Sequence, residues 1–94
     1  MFIVSLTYHN GPEAADDHLT AHIDWLKQGY SSGLFLASGR KIPRTGGVIL
    51  ADGDRAALDA FLAADPFALH GVADYEVTEV AFSIAAEGLE RLKD

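Results

Sequence analysis

The sequence predicts an α+β domain: four strands and two helices in the order β-α-β-β-α-β, with the strands in one antiparallel sheet and both helices on one of its faces. Three observations carry this. Phe2 to Tyr8 alternates apolar and mixed residues with a period of two. Leu19, Ile23, Leu26 and Tyr30 recur at helical spacing, and Leu58, Phe61 and Leu62 repeat that pattern later. Between and after these helical stretches lie short runs rich in apolar and β-branched residues, each bounded by Gly, Pro or Asp.

In the first strand Phe2, Val4, Leu6 and Tyr8 point one way, and Ile3, Ser5 and Thr7 the other. Asn10-Gly11-Pro12 breaks it. The first helix begins between Pro12 and Asp17, where Glu13, Asp16 and Asp17 suit its positive end. It closes near Ser31-Ser32, with Gly33 as a left-handed cap. Leu34 to Ser38 is the second strand and Gly47 to Ala51 the third. They form a hairpin whose long loop, Gly39 to Gly47, holds three of the seven basic residues. Asp52 is positioned to cap the second helix, and Pro66 ends it by pushing Asp65 out of the α region. A single turn follows over Phe67 to His70, and Val72 to Phe82 alternates as the fourth strand. The tail, 83–94, is either a short docked helix or a frayed end. This order is the split β-α-β, ferredoxin-like arrangement.

At 94 residues the chain is read as one domain, 1–94. Its size favours an oligomer that would bury more apolar surface. The sheet face away from the helices carries further apolar residues, so a homodimer is expected. The formal charge of −7 argues against nucleic acid and against an anionic membrane surface. No run is long enough to span a bilayer, and the N-terminus lacks the features of a signal peptide. A cytoplasmic location is the default. There is no cysteine, so neither disulfides nor thiol chemistry enter.

Chemistry is concentrated around His18-Leu-Thr-Ala-His22-Ile-Asp-Trp25. Histidine titrates near neutrality, so an imidazole at the edge of a buried face is either a satisfied core residue or a proton carrier. His18 and His22 stand at i, i+4, the spacing of a helical metal pair. A zinc site needs a third ligand, for which Asp65, His70 and His9 are the candidates, and the glutamate of a zinc-protease helix is absent. No metal and no cofactor are expected. Ser38 ends a strand without an evident base beside it, and Arg40, Lys41 and Arg44 form a loop able to attract an anionic substrate. Gly46 and Gly47 are not a phosphate loop, since no strand-to-helix turn with lysine follows.

Three motifs stand in order: His22-Ile-Asp-Trp-Leu running on to Gly33-Leu-Phe-Leu-Ala-Ser-Gly39, then Gly46-Gly-Val-Ile-Leu, then Ala64-Asp-Pro-Phe67 with Gly71-Val72. Together they resemble the YciI-like, YCII-related family over Phe2 to about Phe82. The resemblance implies a dimeric α+β barrel, in which two ferredoxin-like protomers set their sheets face to face. It also implies a histidine–aspartate active site, here His22 and Asp65, working as acid and base on a small organic molecule. His18 stands where the family often has arginine, and Ser38-Gly39-Arg40 replaces its usual Gly-Pro, so His18, Ser38 and Arg40 are the candidate substrate-binding residues. Direct contact between His22 and Asp65 is expected, with Pro66 freeing the aspartate to point inward. The other reading is a non-catalytic ligand-binding or accessory dimeric module.

Overall fold

The computed structural model describes residues 1–93. The strands are β1 (Phe2–Tyr8), β2 (Phe35–Arg40), β3 (Gly46–Ala51) and β4 (Ala73–Glu79). They form one antiparallel sheet in the order β2-β3-β1-β4. That order, with helical crossovers after β1 and β3, is the ferredoxin-like topology. Phe2, Val4 and Leu6 are buried on one face, joined by Phe35, Ile49 and Ala51 from the neighbouring strands. The helices lie over that face and add Trp25, Leu58, Leu62 and Phe67 to the same core. On the opposite face Ile3 pairs across the ladder with Leu50, and Ser5 with Val48.

The helical layer departs from the periodic reading in three places. First, the expected long helix is broken into α1 (Pro12–Asp16) and α2 (Leu19–Ser31). His18 between them has left helical geometry, at φ −118° and ψ 9°. The neighbouring Asp16 and Asp17 favour local backbone bonds over helix continuation, and the turn lets α1 bury Ala15. Second, the buried stripe of α2 is His22, Trp25 and Gly29, whereas Ile23 and Tyr30 are 40% and 41% exposed. Gly29 explains the rotation, because a Cβ there would lie 2.1 Å from the Phe35 ring. The helix can sit close on β2 only with that face turned inward. Trp25 then stacks on Phe61, with ring centres 5.0 Å apart, and donates its indole N–H to the Phe61 carbonyl at 2.9 Å. Third, α3 (Arg55–Ala63) is capped by Asp54, whose carboxylate accepts from the Ala57 N–H at 3.0 Å. Asp52 is held back because its own N–H donates to the Leu34 carbonyl and extends the sheet contact.

The hairpin loop is shorter than expected. β2 continues through Ser38, Gly39 and Arg40, paired with Ile49, Val48 and Gly47, so only residues 41–45 connect the strands. Pro66 opens a one-turn helix, α4 (Pro66–Leu69), as the proline position suggests. β4 stops at Glu79, short of the expected Phe82. Beyond it, Phe82 makes a parallel bridge to Lys93 and Glu90–Leu92 forms a 3-10 turn. The tail therefore folds back in place of forming a regular helix, and Asp94 lies outside the described residues. Among the described residues, no helix is long and apolar enough to cross a membrane.

Candidate functional site

Two local features bring His22 and Asp65 together. His22 is on the buried stripe of α2, and Asp65 is the extended residue, φ −60° and ψ 130°, between α3 and α4. The proline ring makes that extended geometry obligatory. The Asp65 carboxylate turns inward and is fully buried. Its Oδ1 accepts from His22 Nδ1 at 2.7 Å and from the Phe67 backbone N–H at 3.0 Å. Its Oδ2 accepts a short hydrogen bond from the Tyr75 hydroxyl. Three donors thus converge on one carboxyl group and occupy both of its oxygens. The contact expected from Ala64-Asp65-Pro66-Phe67 is therefore present.

Tyr75 is the partner that sequence reasoning missed. Its phenol pKa is raised, first by burial, then by the hydrogen bond to Asp65 and the negative charge behind it. The hydroxyl thus stays protonated and acts as a fixed donor. The signal available was the inward parity of Tyr75 on β4, since a tyrosine with a buried ring usually finds a partner for its hydroxyl.

The imidazole of His22 is fixed in plane as well as at one end. Its ring lies parallel to Phe67 at 3.8 Å between centres, and Trp25 stands 5.4 Å away on an inclination of 28°. A carboxylate only accepts, so Nδ1 is the donor in this bond. Nε2 has no partner among the described residues, which hold no buried side-chain nitrogen or oxygen lacking one. It therefore opens into the space that His22 lines.

That space is a cleft of about 360 Å³ between α1, α2 and the helix-covered side of β2 and β3. Leu6, Tyr8, Leu19, Ile23, Leu26 and Phe67 give apolar walls, and Asp16, Ser38, Arg40 and Arg44 supply polar groups. Ser38 and Arg40 thus share the cleft with His22. The Ser38 hydroxyl is hydrogen-bonded to that of Tyr30 at 2.6 Å, and no base stands beside it. His18 does not line the cleft. The break between α1 and α2 places its ring on His70, 4.0 Å away and nearly parallel. His9 pairs with Asp74 at 3.1 Å. Among the described residues, no three His, Asp or Glu side chains gather as a metal site requires.

Arg44 and Asp16, both lining the cleft, meet at 2.7 Å. The hydrogen bond from Arg44 lowers the Asp16 pKa against a smaller opposing effect of desolvation. A lowered acid stabilises the fold above its unfolded value and loses that contribution as pH falls through the folded one. The stability difference between the parent and Asp16→Asn is therefore expected to be constant well above pH 3.8 and to shrink on acidification below it. Urea unfolding across that range checks this. A difference that does not change with pH would dissociate the pair from stability.

A model of the YCII-related domain matches residues 1–81. No curated protein matches the chain. Among solved structures, 5-chloro-2-hydroxyhydroquinone dehydrochlorinase (TftG) from Burkholderia phenoliruptrix AC1100, in complex with 2,5-dihydroxybenzoquinone, is similar at a TM-score of 0.75. The two chains are 16% identical, and the match covers 87% of this chain and 94% of the other. At that identity the likeness is one of fold.

Proposed function

The chain belongs to the YCII-related family, and from that premise we propose that His22 and Asp65 form an acid–base site acting on a small organic molecule bound in the cleft. One observation carries the reading: His22 is clamped at Nδ1 by a buried, fully hydrogen-bonded carboxylate while its Nε2 faces open space. Such an imidazole takes a proton at Nε2, and the carboxylate stabilises the imidazolium that results. The proton can then return to another atom of the same substrate, which suits isomerisation, elimination or hydrolysis. Phe67 and Trp25 cover the ring faces, so the substrate approaches in the imidazole plane. The similar structure is named for an elimination on a hydroxylated ring, and a ring of that size fits the cleft volume here.

The test is turnover of small enolisable acids and halogenated hydroxyarenes, with 5-chloro-2-hydroxyhydroquinone included. General acid–base catalysis contributes about 10²–10⁴-fold, so His22→Ala is expected to lose turnover by that factor. Equal rates in the two proteins would overturn the reading. Asp65 also caps α4 through the Phe67 N–H, a task it performs whether or not protons move. That favours a second reading, a ligand-binding module without turnover, which binding by a parent protein inactive on the whole set would select.

We propose separately that the protein is a homodimer. Ile3, Leu50 and Val48 lie on the sheet face that no helix covers, with Val48 38% exposed. Packing two such faces about a two-fold axis would remove them from water. Light scattering at micromolar concentration is expected to give twice the chain mass of 10.1 kDa. A monomer would count against the dimer and leave the His22 chemistry to be judged separately.

A further inference from the structure

We propose that the cleft takes a small planar organic acid in its carboxylate form, and that Asp16 occupies the seat of that carboxylate on Arg44. The inference rests on the acid–base reading for its purpose, but on the cleft alone for its binding. The chain has 14 acidic residues against seven basic ones, yet two arginines and one aspartate line this cleft. Arg40 is exposed, and its charge also acts on Asp16, at longer range than that of Arg44. Arg44 is held by Asp16 through a single guanidinium nitrogen, Nη2. Its guanidinium carbon also stands 6.0 Å from the centre of the Tyr8 ring, another cleft wall.

These groups make a recognisable anion site. A guanidinium offers donors in a planar fork that a carboxylate can meet with both oxygens, whereas Asp16 uses one oxygen on one nitrogen. The side chains of Arg44 and Asp16 are 28% and 55% exposed, and ion pairs that open to water are weak. A ligand carboxylate seated inside the cleft, between Arg44 and Arg40, therefore competes well with Asp16. Apolar walls on either side accept the planar remainder of the molecule. A cation meets two arginines and an aspartate already engaged, and is rejected. The exchange also sets specificity: only a ligand whose charge replaces that of Asp16 leaves Arg44 with a counter-ion.

The experiment is a chemical-shift titration with benzoate and with its neutral isostere benzamide. Benzoate is expected to shift the amides of Arg40, Arg44 and Gly47, and to bind about tenfold more tightly than benzamide. Asp16→Asn removes the competitor and is expected to tighten benzoate binding about two- to fivefold, with benzamide unchanged. Arg44→Gln is expected to weaken benzoate about tenfold, and its amide spectrum reports whether the loop keeps its place. Equal affinity for benzoate and benzamide, no binding of either, or no gain in Asp16→Asn overturns the inference. All of these are binding readouts. They fail or succeed independently of any His22-dependent turnover, so the two readings are judged apart.

Discussion

Asp65→Ala is expected to lower the unfolding free energy by about 3–5 kcal/mol, the low end of the sum for three buried donors left without their acceptor. The carboxylate is the common acceptor for His22 Nδ1, the Phe67 N–H and the Tyr75 hydroxyl, and it is fully buried. Alanine leaves all three donors without a partner and opens a polar hole in the fully buried interior. Each abandoned donor costs about 1–3 kcal/mol if nothing replaces its partner. Water entering from the cleft side offsets part of this at His22. Asp65→Asn keeps the volume and an acceptor for one donor, so a smaller loss is expected. Urea denaturation of the three proteins checks the order. A loss under about 1 kcal/mol in Asp65→Ala would mean that the donors relax to other acceptors, and the clamp on His22 would have to be abandoned.

Gly46→Ala is expected to be worse, with a loss above about 4 kcal/mol or no folded product at all. A Cβ at position 46 would lie 1.7 Å from the Leu6 carbonyl oxygen and 2.7 Å from its carbon. These are backbone atoms of the central strand, so no rotamer change relieves the overlap. β1 and β3 would have to part at the Thr7–Gly46 register position, next to the Tyr8 N–H bond to Thr45. Gly39→Ala is the matched control, because nothing lies within 4 Å of a Cβ there. Circular dichroism and melting of the two variants decide it. Comparable stability in both would show that the β1–β3 contact yields more easily than its geometry implies.

What could be read in the sequence was what short range dictates. Pro66 acts on the residue before it, so the inward turn of Asp65 was legible from two letters. The alternation of Phe2 to Tyr8 needs no partner to be seen, and the β-α-β-β-α-β order follows from such local periods. The rotation of α2 was not legible, because an unweighted apolar stripe counts Ile23 and Tyr30 and ignores Gly29, whose meaning depends on Phe35 arriving from β2. Tyr75 reaches Asp65 across ten residues, and Arg44 reaches Asp16 across 28. Both contacts exist only after the strands are in register. His18 was placed at the site by the family resemblance, standing where arginine is frequent, and in the structure its ring lies on His70.

The imidazole and the carboxylate stand 43 residues apart in the chain, one from each half of the fold. Closing a separation of that length costs chain entropy that local contacts do not return, so the pair is a non-local contact. Neither half of the chain holds both members of the pair. A nascent or nicked chain has the histidine without its anchor, or the anchor without its histidine. The pair is complete only when both crossovers have docked on the same sheet, so the proposed acid–base site would report completed folding.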